Sequence, residues 1–153
     1  MKILATSILT GYLLIASVKD IINRRISRLY LTAGIIPVIA CIWARLHMIS
    51  QDSLIIGILI SHAVGALIGG IFILVSHLTG EKLGKGDAMI FCICGAAAGY
   101  EILAVIIISA FMLGALYAVA MLAMGRFTKK SSFAFIPFIL LGYLMAEILT
   151  GGL

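Results

Sequence analysis

Charge is what this chain has least of. Of its 153 residues only 11% are charged, 63% are hydrophobic, and the mean hydropathy is +1.26. A soluble domain carries about 25% charged residues, so the scarcity excludes one and indicates a membrane protein. Cysteine is almost as rare. Cys41, Cys92 and Cys94 all lie within apolar runs, and three such residues exclude a disulfide framework. Cys92 and Cys94 are two apart on an expected helix, point in different directions and cannot clamp one metal. They read as small hydrophobes, so no metal or other cofactor is assigned. The chain has only two prolines, Pro37 and Pro137. Basic residues exceed acidic ones by five, yet they are confined to short loops, so no nucleic-acid partner is expected.

What remains is long runs of Leu, Ile, Ala and Gly, which favour spanning helices over the alternating pattern of a barrel. The length suits a single polytopic membrane domain over residues 1–153. We expect an all-α bundle of six transmembrane helices. The first run, Ile3 to Val18, follows Lys2 as a signal peptide would. The small-x-small cleavage pattern is poor around Ile15-Ala16-Ser17, and the run is read as the first span. A loop dense in positive charge follows from Lys19 to Arg28. Leu29 to Ala44 is the second span, with a kink expected at Pro37, and Arg45 to Ser53 is a polar turn. Leu54 to Leu78 is the third span, and Gly65-Ala66-Leu67-Ile68-Gly69 within it is a small-xxx-small packing face. After the loop Thr79 to Gly86 comes a short fourth span, Asp87 to Gly99, ending in a second smooth face from Gly95. Glu101 marks a turn, Ile102 to Met124 is the fifth span, Gly125 to Ser132 a basic loop, and Phe133 to Leu149 the sixth span.

The basic residues orient these spans. Lys19, Arg24, Arg25, Arg28, Lys82, Lys85, Arg126, Lys129 and Lys130 fall in alternate loops on one side, and only Lys2 and Arg45 on the other. Positive loops are cytoplasmic, so both termini are expected outside, with Asp20 and Asp87 at the cytoplasmic face. Asp87 closes the stretch Gly84-Lys85-Gly86-Asp87, whose glycines leave the backbone open to close approach by another chain. Two carboxylates facing each other at one edge of a bundle suit peptide hydrolysis. Like charges close together cannot both ionise cheaply, so one stays protonated while the other acts as base on a water. The same residues also have bland readings. Asp20 could pair with Arg24 one helical turn on, and Asp87 could cap the fourth helix.

Gly84-Lys85-Gly86-Asp87 at the start of a membrane helix resembles the GxGD motif of intramembrane aspartic proteases. Ala16-Ser17-Val18-Lys19-Asp20 followed by Arg24-Arg25-Ile26-Ser27 resembles the first active-site segment of the type IV prepilin peptidase family. Phe135-Ile136-Pro137-Phe138 with Leu141-Gly142 is similar to that family's last helix. The resemblance implies leader cleavage from prepilin-like precursors at the cytoplasmic membrane face, without a cofactor. Asp20 and Asp87 would be the catalytic pair, and Gly84, Lys85 and Gly86 the loop that the substrate backbone approaches. The implied partners are a substrate with a basic leader and an apolar helix, and the lipid bilayer; the oligomeric state is left open. Larger members carry paired CxxC motifs and also methylate the new N-terminus. This chain has neither pair, so it resembles the peptidase-only members and methyltransferase activity is not expected. Met89 stands where many relatives have lysine.

Two other classes compete with the peptidase. One is a small proton-linked transporter, disfavoured because both acids sit on one face. The other is a non-catalytic subunit of a pilus or secretion assembly. Among the remaining polar residues, Ser61 and His62 inside the third span are read as helix–helix hydrogen-bond partners. His77 is read as an interfacial histidine or a neighbour of the aspartates, and Glu147 as reaching out to water. Tyr12, Trp43, Tyr100, Tyr117 and Tyr143 are read as interface anchors.

Overall fold

An apolar chain in lipid must satisfy its backbone internally, and helices do so within each segment. The computed structural model describes residues 2–23, 28–47, 52–80, 84–125 and 133–150, and every regular element among them is helical. In order they are α1 (Lys2–Asn23), α2 (Arg28–Ala33), α3 (Ile35–Leu46), α4 (Asp52–Leu78), α5 (Lys85–Ala98), α6 (Tyr100–Ala123) and α7 (Ile136–Leu149). Only Gly34 separates α2 from α3, so the two form one interrupted rod. Pro37 lies just beyond the break, where its ring removes a donor and crowds the carbonyl four residues back, and the Gly34 N–H bonds to the Leu31 carbonyl at 3.1 Å.

Among the described residues, three segments are long and apolar enough to cross a membrane: Ile3–Ile22, Leu54–Leu78 and Tyr100–Ala123. Tyr30–Leu46 and Ile136–Leu149 are shorter apolar helices. At about 1.5 Å per residue, the 14 residues of α5 and of α7 extend about 21 Å, less than a hydrocarbon core of about 30 Å. Large apolar side chains such as Leu67, Ile71, Leu74, Ile108, Leu116 and Val119 project outward. Such a surface would associate in water and belongs against lipid. This is a membrane protein.

The short helix α5 sits at the centre, packed on α3, α4, α6 and α7. Beyond Asp87 its sequence is apolar on all sides, which suits a helix surrounded by others. Its tightest partner is α4, and both small-residue faces expected from the sequence meet there. A side chain on Gly65 would run into the Gly95 carbonyl, and one on Gly69 into the backbone of Cys92. His62 adds the expected helix–helix hydrogen bond, 2.8 Å from Nδ1 to the Ala96 carbonyl. Ser61 packs against Gly99.

Several boundaries differ from the sequence reading. Helix α1 continues to Asn23, so Asp20 is helical and not part of a loop. Arg45 lies in the last turn of α3, where it donates from Nη2 to the Ala98 carbonyl at 3.1 Å and serves the carbonyl end of α5. The turn before α6 is made by Gly99 (φ +86°), and Glu101 falls within the first turn of α6, where the helix dipole favours an acid. Helix α7 starts at Ile136, three residues later than expected. Two side-chain readings are also corrected. Glu147 is buried at 4% exposure and does not reach water, and Tyr143 is a core residue. Both face inward on α7, where packing with α1 and α6 outweighs proximity to the helix end.

Candidate active site

Asp20 owes its position to the period of α1. Leu9, Leu13, Ala16 and Ser17 form the buried stripe of that helix, and Asp20 is next along it, only 8% exposed. A carboxylate buried there needs a donor, and α7 supplies one. Ile136 N–H, the first of α7, donates to Asp20 Oδ2 at 3.2 Å. Phe135 at the N-cap has no side chain that can accept this bond, and Pro137 follows at the second position. Asp20 therefore caps α7 from another helix, at the end where the dipole favours negative charge.

The Phe135 ring packs 5.3 Å from Phe111 and 6.3 Å from Phe91, centroid to centroid. This aromatic contact ties the start of α7 to α6 and α5 and so aims the Ile136 donor. One residue from Asp20, Lys19 Nζ lies 3.8 Å over the Tyr30 ring, joining α1 to α2.

Asp87 comes from the central helix. It sits in the first turn of α5, half-buried, with Gly84 as the preceding N-cap. Its Oδ2 lies 2.9 Å from where a Cβ on residue 84 would be. Gly84 has φ −56° and ψ 129°, which any residue can adopt. The missing side chain at 84 thus matters for space and not for backbone freedom. Lys85 is exposed and Gly86 half-buried at the first two positions of α5.

The two carboxyl groups share one end of the bundle. Ala5 of α1, Ala98 of α5 and Glu147 of α7 line a cavity at the other end, which places the close of α1 and the openings of α5 and α7 together. Two carboxyl groups brought close together favour the state that holds a single proton, which gives one group that can accept a proton and one that can donate.

The other sequence candidates fall elsewhere. Arg24, the alternative partner of Asp20, lies outside the described residues, and capping by Asp20 is seen on α7 instead. His77 is exposed at the end of α4. The Nε2 of His62 is buried with no hydrogen-bond partner among the described residues. The Ile136 donor was not identifiable beforehand, because a backbone N–H has no sequence signature. Pro137 inside an aromatic run was its nearest signal.

Residues 7–119 match the model of the type IV leader peptidase family. The chain belongs to this family. It is also 30% identical over 86 residues to a protein of Bacillus subtilis (strain 168) named prepilin leader peptidase/N-methyltransferase. That alignment covers 56% of this chain and 35% of the relative. No solved structure matches the chain at a significant level. The family match contains Asp20, Asp87 and the whole Gly84–Asp87 stretch. Helix α7, with the donor to Asp20, lies beyond it.

Proposed function

We propose that the protein is a membrane aspartic endopeptidase that removes the leader from prepilin-like precursors at the cytoplasmic face. The observation that carries this reading is that Asp20 and Asp87, from separate helices within the family-matched segment, stand at the same end of the bundle. In the proposed reaction the ionised member of the pair takes a proton from water as the water oxygen attacks the scissile carbonyl carbon. The protonated member donates to the carbonyl oxygen. Collapse of the tetrahedral intermediate breaks the C–N bond, and a proton passes to the leaving amine. No metal or covalent enzyme intermediate takes part.

The whole chain acts as one peptidase domain in this reading. It crosses the cytoplasmic membrane six times with both termini outside, the short helices α5 and α7 crossing where surrounding helices and lipid adjust. The distribution of Lys and Arg supports that orientation. The chain contains no CxxC pair, which supports cleavage without methylation.

Co-expression with a prepilin-like substrate, followed by mass analysis of the product, tests the reading. The expected product is the leaderless chain with an unmodified N-terminus. An intact precursor would remove the peptidase, and an added methyl mass would restore the second activity.

A narrower prediction concerns Gly84. Replacing it with alanine puts a methyl group against Asp87 Oδ2 and pushes that carboxyl aside. Cleavage should fall by about tenfold to a hundredfold, the range expected for ångström-scale misplacement, with thermal stability in detergent unchanged. Wild-type rates in Gly84→Ala would show that residue 84 does not set the position of Asp87.

A further inference from the structure

At the end of the bundle away from the aspartates lies a cavity of about 350 Å³, within the range of about 300–1,000 Å³ typical of ligand sites. Its walls are mainly apolar, among them Ala5, Leu9 and Cys41, but two charged residues also line it, Arg45 and Glu147. Glu147 is 4% exposed. Its Oε2 is buried and has no hydrogen-bond partner among the described residues. Arg45 spends one donor on the Ala98 carbonyl, and a guanidinium has five. Arg45 and Glu147 thus line one cavity, with Oε2 left unpartnered among the described residues.

A buried carboxyl oxygen left without a partner is costly, so the site calls for a donor from outside the chain. The cavity lies some 15 residues along α1 from Asp20 (Ala5 against Asp20), about 22 Å at helical rise. That puts it in the opposite half of the bilayer, toward the far headgroups. Ile3, Leu4 and Ile148 are exposed at the same end and offer a surface for acyl chains.

We propose that this cavity binds the headgroup of a phospholipid that carries a phosphate and a primary ammonium, as phosphatidylethanolamine does. The Arg45 guanidinium takes the phosphate, the ammonium donates to Glu147 Oε2, and the tails lie outside along α1 and α7. Basic pockets between membrane helices hold headgroups by this chemistry. The carboxylate adds selection for an amine that has N–H groups to donate. This site is independent of the proposed peptidase.

Thermal unfolding of the purified protein in detergent, with one added lipid at a time, tests it. Phosphatidylethanolamine should raise the midpoint of the wild type by several degrees. Phosphatidylcholine, whose ammonium has no N–H, and phosphatidylglycerol, which has no amine, should raise it clearly less. Glu147→Gln should fold at least as well without lipid and lose the preference for the primary amine. Arg45→Gln should weaken the response to all three lipids, and Arg45→Lys should restore part of it. Equal stabilisation by the three lipids would reduce the effect to general solvation by lipid and overturn the proposal. A full preference retained in Glu147→Gln would overturn it as well.

Discussion

Asp20→Asn and Asp87→Asn should each lower leader cleavage about a thousandfold or more while leaving a folded protein. Asparagine matches aspartate in size but neither takes a proton from water at neutral pH nor donates an acidic one. Loss of positioned acid–base groups costs about a hundredfold to ten-thousandfold, and here either change disables both roles, because the proposed pair works as a unit. The double variant should therefore be scarcely slower than either single one. The Asp20 bond to Ile136 separates catalysis from structure. The asparagine carbonyl can still accept that N–H, so Asp20→Asn should melt near the wild type. Asp20→Ala strands a buried donor and should lose about 1–3 kcal/mol of stability in addition to activity. The measurements are cleavage rates on a prepilin-like substrate beside unfolding in detergent. Substantial cleavage by Asp20→Asn would sink the two-aspartate assignment.

The second large effect is structural. Gly65→Ala drives a methyl group into the Gly95 carbonyl, and Gly69→Ala drives one into the backbone of Cys92. Backbone cannot swing away as a side-chain tip can, so α4 and α5 must separate. Overpacking of this kind costs about 1–3 kcal/mol. Because α5 carries Asp87, cleavage should fall together with stability. Gly57→Ala in the same helix is the matched control, since nothing lies within 4 Å of a Cβ there. It should be neutral or stabilising by up to about 1 kcal/mol. Equal unfolding midpoints for Gly65→Ala and Gly57→Ala would mean that the close contact is not what holds α5 in place.

These expectations show how unevenly the molecule could be read in advance. The apolar runs, the small-residue face at Gly65 and Gly69, the His62 bond between helices and the family resemblance all followed from local pattern. Hydropathy, spacing and residue size act along a single helix and survive without knowledge of its neighbours. The roles of Asp20 and Glu147 were less legible. Asp20 was expected in a loop beside Arg24, yet it continues the buried stripe of α1. Glu147 was expected to reach water because it stands near the end of a run, yet it faces the interior of the bundle. For both, the face of the helix and not the distance to its end decides burial, and that depends on which helices pack alongside.

The primary structure alone was enough for a helical membrane chain of this peptidase family, and it singled out Gly84–Asp87 with Asp20 as the residues to watch. Hydropathy and a short motif are properties of consecutive residues. It could not reveal that the start of α7 donates to Asp20, that Gly84 leaves room for the Asp87 carboxyl, or that Arg45 and Glu147 share a cavity at the far end. Each of those joins residues between 3 and 116 positions apart. The longer-range ones exist only because α1, α3, α5 and α7 pack around one another, and packing of that kind has no trace in any single segment.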